Sequence, residues 1–218
     1  MKKLFLTLVI CSVFNIAQSQ DANNPIDPSP TLGIWNRFYG DDFSRLQILG
    51  NVTLNKWFLR ATAEQEFNYN ADNDFKSANF LVARLFSSKN GKHQFGLGGV
   101  ISYINHKGFA GGVNFVSVSK FGAWKAITLT TLQGGSDIFT MEFQPGIYKD
   151  FDKGWYFRSH PRMLFDFTNG QHEVPLGAGF GKILKPAEEG TVFNLFFEPQ
   201  YDVVNTRVML YAGVKMLF

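Results

Sequence analysis

A serine beside a histidine is the pair of residue types in this sequence that could catalyse hydrolysis. The spacing of the two residues argues against such a role. Ser159 and His160 are adjacent, so on one β-strand they would point to opposite faces and could not act as nucleophile and base. His106 and His172 fall in predicted loops, where a lone histidine is usually solvated, and His93 begins a predicted strand. We therefore expect no catalytic residues and no enzyme.

Metal and cofactor sites are equally unsupported by the sequence. The four histidines are scattered and the single cysteine, Cys11, lies in the N-terminal apolar run, so no ligand spacing typical of a metal site exists. Asp150 and Asp152 flank a predicted tight turn, and the alternating glycines of 177–181 lie in a strand instead of preceding a helix. We predict no metal and no cofactor.

Charged side chains recur instead at alternating positions of long segments. Across 57–69 and 155–167, apolar and polar residues alternate with a period of two, as in a strand with one apolar and one polar face. If the apolar face contacts lipid, the charged face lines the inside of a barrel. Both signs of charge occur there, which leaves two hypotheses: an ion-pair network that fills the lumen, or a small polar pore. The predicted lumen-lining residues are Arg60, Glu64, Glu66, Arg84, Glu142, Arg158, His160, Arg162, Asp166, Glu198, Asp202 and Lys215.

Aromatic residues mark the ends of the same two segments. Trp57 and Tyr69 are twelve positions apart, and so are Trp155 and Phe167. Twelve steps of about 3.3 Å, tilted by about 45°, span about 28 Å along the membrane normal. The spacing predicts that these four rings form lipid-facing girdles.

The last segment, 207–218, indicates how such a barrel would be inserted. Its outward face ends in Val214, Met216 and Phe218, and we predict that these residues form the insertion signal that the outer-membrane barrel assembly machinery recognises. Successive strands of a barrel run in alternating directions. If both chain termini are periplasmic, counting the strands back from the C-terminus requires one more strand, at about 32–43. The predicted fold is therefore an all-β, antiparallel transmembrane barrel of twelve strands, with ten strands and an N-terminal plug or amphipathic segment as the alternative.

The N-terminus is typical of an export signal. Lys2 and Lys3 precede an apolar run at 4–14 and a small-x-small site that ends at Ser19. We predict that 1–19 is a cleaved signal peptide, that 20–31, which holds three prolines, is flexible, and that 32–218 is the barrel. Beyond the signal, no apolar stretch reaches about 18 residues, so only a closed barrel could span a membrane.

Composition and charge support a membrane barrel. The sequence holds 24 Phe, 7 Tyr, 4 Trp and 21 Gly. These are more aromatic side chains and more glycines than the core of a soluble protein of this size needs. Without the signal, 19 basic residues stand against 18 acidic ones, since the signal removes two of the 21 lysines and arginines. Nothing in this balance indicates binding to nucleic acid.

Four short motifs between 140 and 204 have the order and spacing of a known family. They are 144–148 (QPGIY), 154–161 (GWYFRSHP), 174–182 (VPLGAGFGK) and 201–204 (YDVV). This region resembles a family of small bacterial outer-membrane barrels described as transporter-like or neuromedin-U-like. The resemblance implies a barrel and assigns no catalytic or ligand residues.

The sequence thus favours an outer-membrane β-barrel of a Gram-negative bacterium that acts without catalysis, as a narrow channel or an accessory barrel. The alternatives are an outer-membrane lipid-modifying enzyme or protease, and a soluble periplasmic β-protein. The expected partners are outer-membrane lipids, the assembly machinery during insertion, and possible larger outer-membrane complexes.

Overall fold

Twelve antiparallel strands close into one barrel in the computed structural model, which describes residues 21–40, 42–186 and 190–218. The predicted signal peptide lies outside the described residues. The first strand, β1 (Thr31–Tyr39), pairs with the last, β12 (Arg207–Leu217), over eight residue pairs, and this pairing closes the sheet. The prediction of twelve strands is confirmed, and the ten-strand alternative is wrong.

The remaining strands each pair with their neighbours in sequence. Strands β9 and β10 are interrupted and are written as their segments. The bounds are β2 Phe43–Leu54, β3 Trp57–Asn68, β4 Asp74–Ser87, β5 His93–Ile104, β6 Gly108–Phe121, β7 Trp124–Gly135, β8 Ile138–Asp150, β9 Trp155–Ser159 and Met163–Asp166, β10 Gln171–Glu173, Pro175–Gly177 and Gly179–Leu184, and β11 Val192–Asp202. Among the described residues, no helix is long and apolar enough to cross a bilayer.

Prolines account for part of these interruptions. Pro161 lies in the gap of β9 and Pro175 opens a segment of β10, and a proline cannot donate a hydrogen bond to the ladder. The gap leaves the backbone N–H of His160 free of the ladder, and it donates instead to a carboxylate in the lumen. The break in β9 thus serves the interior of the barrel.

The two ends of the barrel are distinguished by the chain termini. The backbone N–H of Phe218 donates to the carbonyl oxygen of Pro30 at 3.0 Å, so both termini of the described barrel lie at one end. We name it the proximal end, and the opposite one the distal end. Connections at the distal end are short, at 69–73, 105–107, 136–137, 167–170 and 203–206.

The outer surface carries the predicted aromatic residues. Trp57 and Trp155 begin β3 and β9 at the proximal end, and Tyr69 and Phe167 directly follow the same strands at the distal end. All four side chains are about half exposed, between 45% and 51%. Two levels of rings about one strand length apart are the arrangement that the headgroup regions of a bilayer favour.

Glycines let neighbouring strands approach closely where the alternation is weak. A Cβ on Gly98 would clash with the backbone of Val82, and one on Gly112 with the backbone of Leu132. β6 begins at Gly108, because its glycines pair with β5 instead of forming a loop.

The proline-rich segment 21–30 is folded into the proximal end of the lumen, and we name it the plug. Ala22 and Ile26 are each only 2% exposed, and Asn23 and Asp27 are 4% exposed. The sequence predicted a flexible segment here, and this burial corrects that prediction. Asp21, Asn23, Asn24 and Asp27 bind the barrel wall or close short turns within the plug. The buried hydroxyl of Ser29 has no partner among the described residues.

Candidate functional site: the plugged lumen

Ion pairs hold the start of the plug against the wall. Asp21 lies 2.7 Å from Lys125 and 3.0 Å from Lys120, and Lys125 also lies 2.7 Å from Asp150. Burial acts to raise the pKa of Asp21, but the hydrogen bonds and charges of Lys125 and then Lys120 outweigh it, and the net pKa is lowered. The carboxylate therefore remains ionised and paired at neutral pH.

Wall side chains also bind the backbone of the plug. Asn194 donates to the carbonyl oxygen of Ala22 at 2.9 Å, and Asn51 and Thr53 donate to those of Pro25 and Ile26 at 3.2 and 3.3 Å. Such bonds satisfy carbonyl groups that burial would otherwise leave unpaired.

An apolar contact completes the attachment of the plug. The side chain of Ile26 belongs to one buried cluster with Phe58 and Leu85 of the wall. The plug is thus fixed by charge, by hydrogen bonds and by apolar burial.

A buried ion pair lies deeper in the lumen. Arg158 binds Glu198 at 2.6 Å, and Glu198 is fully buried. Glu198 also accepts from the backbone N–H of His160 at 3.0 Å and from Gln200 at 2.7 Å. The guanidinium of Arg158 lies 3.8 Å from the ring centroid of Phe196. Each charge is therefore paired and hydrogen bonded, as burial demands.

A second group of charges crosses the lumen on its distal side. Arg162 binds Glu142 at 2.7 Å and also pairs with Glu64. Gln47 donates to Glu64 at 3.3 Å, and Gln144 donates to Glu142. This group, the Arg162 network, connects strands that face each other across the barrel and narrows the path.

A third group fills the distal mouth. Arg45 lies 2.9 Å from Glu66 and 3.0 Å from Glu173. Lys76 pairs with Glu66 at 3.2 Å, and the hydroxyl of Tyr39 donates to Glu173 at 2.7 Å. Of these residues, only Glu66 was predicted as lumen-lining.

Two predicted lumen residues belong to the distal rim. Asp166 pairs with Lys107 at 2.7 Å and accepts from the backbone N–H groups of Thr168 and Asn169. Asp202 is fully buried and accepts from the backbone N–H groups of the 203–206 turn. Both carboxylates stabilise turns at the mouth.

The prediction that Arg84 lines the lumen is wrong. Its side chain is exposed on the outer face at the proximal end of β4, 5.8 Å from the ring of Phe86. Leu81, Ala83 and Leu85 are the buried, inward residues of this strand. Both faces of β4 are apolar over this stretch, so the sequence pattern did not identify the inner one.

A cavity of about 80 Å³ separates the plug from the Arg158 pair. It is lined by Arg60, Lys215, Arg158 and His160 together with the plug residues Ala22, Asn23 and Pro25. A smaller cavity of about 30 Å³ lies between Arg60 and Glu142. These volumes compare with about 30 Å³ for one water in the liquid, so the lumen beyond the plug has room only for a few small molecules. A larger space of about 620 Å³ lies beside the plug at the proximal end, where Ile26 faces Lys56 and Leu85.

The histidines form no hydrolytic site among the described residues. His160 Nδ1 lies 2.7 Å from the hydroxyl of Tyr148, and no described serine hydroxyl binds a histidine ring. His172, which the sequence placed in a solvated loop, lies in β10 against the rings of Phe165 and Phe167. In the part of the chain described, no cluster of three metal-binding side chains occurs.

The closed barrel, with two levels of outward aromatic rings and a charged interior, defines the class of fold: a twelve-stranded antiparallel β-barrel with a porin-like fold. The solved structure of the KdgM porin is similar, with a TM-score of 0.62, 7% identity, and coverage of 86% of this chain and 99% of that one. The KdgM porin in complex with disordered oligogalacturonate gives a TM-score of 0.63 at the same identity and coverage. Outer membrane phospholipase A from Escherichia coli has 12% identity and a TM-score of 0.47, over 94% of this chain and 96% of that chain.

Comparisons by sequence find no relatives. No protein-family model matches the chain, and no curated protein matches it. The resemblance of 140–204 to transporter-like barrels therefore stays a prediction.

Proposed function

We propose that this barrel is a passive outer-membrane channel of narrow bore, without catalysis, that its own N-terminal segment closes. The carrying observation is the plug: 21–30 occupies the proximal lumen and is bound to the wall strands β2, β7 and β11 by the side chains of Asn51, Thr53, Lys125 and Asn194. A polar interior that is merely structural needs no separate segment to fill its mouth.

The attachment of the plug is suited to reversible release. It depends on the Asp21 ion pairs, the Ile26 contact, the hydrogen bonds of Asn23 with Asp150 and Asn194, and single hydrogen bonds to backbone carbonyls. Exchange of these contacts for water costs far less than unfolding the closed barrel, in which each of the twelve strands pairs with both of its neighbours. Local opening at the plug is therefore the accessible motion.

The remaining path is polar and adjustable. Beyond the plug, the Arg158 pair and the Arg162 network narrow the lumen with long side chains whose heads can change partners. Charged rings of this kind tune the selectivity of a pore. We expect small ions and solutes to pass, since side chains fill much of a twelve-stranded lumen.

Export and insertion form part of the same proposal. Cleavage after Ser19 would leave a chain whose first residue is Gln20, directly before the plug. The outward row that ends in Val214, Met216 and Phe218 would present the terminal strand to the assembly machinery. Intact mass of the membrane-extracted protein checks the cleavage site.

Single-channel recording in planar bilayers tests the channel. The refolded chain, verified by heat-modifiable gel migration, should give brief openings above a closed baseline. Ile26→Ala should raise the open probability, while Leu54→Ala on the outer surface should not. A folded barrel that remains silent in all three forms would contradict the proposal. Unchanged membrane phospholipids on incubation with the purified barrel would agree with the absence of catalysis.

A further inference from the structure

The central cavity between the plug and the Arg158 pair is lined by basic side chains and by no acidic one. Three cations line it, Arg60, Arg158 and Lys215, and no carboxylate does. Of the three, only Arg158 has an ion-pair partner within 4.0 Å among the described residues. Two basic side chains, Arg60 and Lys215, thus face the cavity without an ion-pair partner among the described residues.

The contacts of these two cations are sparse. Lys215 donates to the carbonyl oxygen of Ala22 at 3.1 Å, and Arg60 makes one long bond of 3.4 Å from Nε to the hydroxyl of Thr62. Over the described residues, the terminal nitrogens of Arg60 donate to no protein acceptor. Most of the N–H groups of both side chains thus form no hydrogen bond with the described protein.

Two further groups add to the positive field. Arg37 is buried with its guanidinium 4.2 Å from the ring centroid of Tyr211, and it forms no ion pair within the described chain. His160, whose Nδ1 is taken by Tyr148, has a buried Nε2 without a hydrogen-bond partner. The charges of Arg158, Arg60, Arg37 and Lys215 all act on this ring.

Nearby carboxylates are occupied elsewhere. Glu142 is bound by Arg162 and Gln144, and Asp21 by its two lysines. Asp27 accepts from the backbone N–H groups of Asp21 and Ser29. Glu198 is shared by Arg158 and two neutral donors. Among the described residues, therefore, no carboxylate forms an ion pair with Arg60 or Lys215, and Glu142, Asp21 and Asp27 act on them only from a longer distance.

We propose that the cavity is a binding site for one small oxyanion, a carboxylate or a phosphate group. Unpaired buried charges are costly, and an anion that pairs with them removes this cost. A guanidinium and an ammonium group suit an oxyanion, which can accept several charge-assisted hydrogen bonds at once. The volume of about 80 Å³ holds a group of this size and excludes a sugar chain or a lipid.

The plug forms part of the proposed site. Ala22, Asn23 and Pro25 line the cavity, and the carbonyl oxygen of Ala22 binds Lys215. A bound oxyanion would neutralise charges that face the plug and so favour the closed barrel. The site does not require the barrel to conduct, so it stands or falls separately from the proposed channel.

Isothermal titration calorimetry of the full refolded barrel tests the site, with inorganic phosphate and acetate in separate titrations at constant ionic strength. The protein is incubated with each anion beforehand in a parallel thermal-unfolding series, because entry past the plug can be slow. We expect one site per barrel and a raised unfolding temperature. Binding of phosphate alone or acetate alone identifies which oxyanion fits, and either result supports the proposal.

Variants separate the site from adventitious binding. Arg60→Gln and Lys215→Gln should each weaken the affinity at least tenfold, while Arg84→Gln, which removes an arginine on the outer surface, should leave it unchanged. Gel migration verifies that each variant is folded. If one of these two variants fails to fold, the affinity of the other variant and the change in unfolding temperature of the parental barrel still test the proposal. Absence of binding to both anions, or equal affinity in all variants, would overturn the proposal.

Discussion

Truncation of Ile26 to alanine should release the plug measurably without unfolding the barrel. The side chain is 2% exposed and packs in one cluster with Phe58 and Leu85. The substitution removes three buried carbon atoms, worth about 0.8 kcal/mol each, or about 2.4 kcal/mol. With RT near 0.59 kcal/mol, the population of barrels with a displaced plug should rise about 60-fold.

A thiol at Ala22 reports this population. The only cysteine of the chain, Cys11, lies in the predicted signal peptide, and Ala22 is 2% exposed, so an Ala22→Cys thiol should react with a maleimide only while the plug is out. The labelling rate in detergent micelles should rise about 60-fold with Ile26→Ala. Leu54→Ala, an apolar truncation on the outer surface, is the matched control and should not change the rate.

Two results would refute this reasoning. If the Ala22→Cys thiol of the parental barrel reacts as fast as a free thiol, then the plug does not occupy the lumen in solution. If Ile26→Ala leaves a slow labelling rate unchanged, then apolar burial does not hold the plug in place.

Three further predictions concern charge and lipid contact. Glu198→Gln should destabilise the barrel by about 3–5 kcal/mol in urea unfolding, because it leaves Arg158 buried without a counter-charge, and adding Arg158→Met should recover part of this loss. Ala61→Arg, at mid-height on the outer face of β3, should cost about 2–4 kcal/mol in lipid vesicles, while Leu54→Arg at the proximal rim should cost at most about 1 kcal/mol. The lowered pKa of Asp21 stabilises the plug above the unfolded pKa of the carboxyl, and this contribution is lost as the pH falls through the folded pKa. Open probability in bilayers should therefore rise below about pH 4, and Asp21→Asn should abolish this rise.

The barrel was accessible to sequence reasoning because lipid imposes a period of two on long strands. The outward rings at Trp57 and Trp155 and the terminal outward row follow directly from that pattern. The first strand was the weakest part, because Asn36 interrupts the outward row between Ile34 and Phe38. Its inward residues, which include Arg37, were therefore missed.

The plug could not be predicted, since the groups that hold it come from distant parts of the chain. Asp21 meets Lys125, and Ala22 meets Asn194, across more than 100 residues of sequence. Local composition, with three prolines and several polar residues, resembles a disordered segment. Only closure of the barrel brings these partners together.

The sequence predicted which charged residues face the interior better than it predicted which of them pair with each other. Glu64, Glu142 and Arg162 could be assigned to the inner face by alternation, but their pairing depends on the stagger of strands across the lumen. Arg45 and Glu173 were missed, although each lies on an inward position at the distal mouth. A signal was available for Arg45, which alternates with Gln47 and Leu49 along β2.

The central claim, that 21–30 closes a conducting lumen, is tested most directly by recording single-channel currents from the full barrel and from a variant that lacks 21–29. Both proteins are first shown to be folded by heat-modifiable migration. We predict that the full barrel is closed for most of the recording and that the variant conducts in discrete, sustained steps. A folded variant that remains as silent as the full barrel would contradict the claim, and so would a full barrel that is already as conductive as the variant.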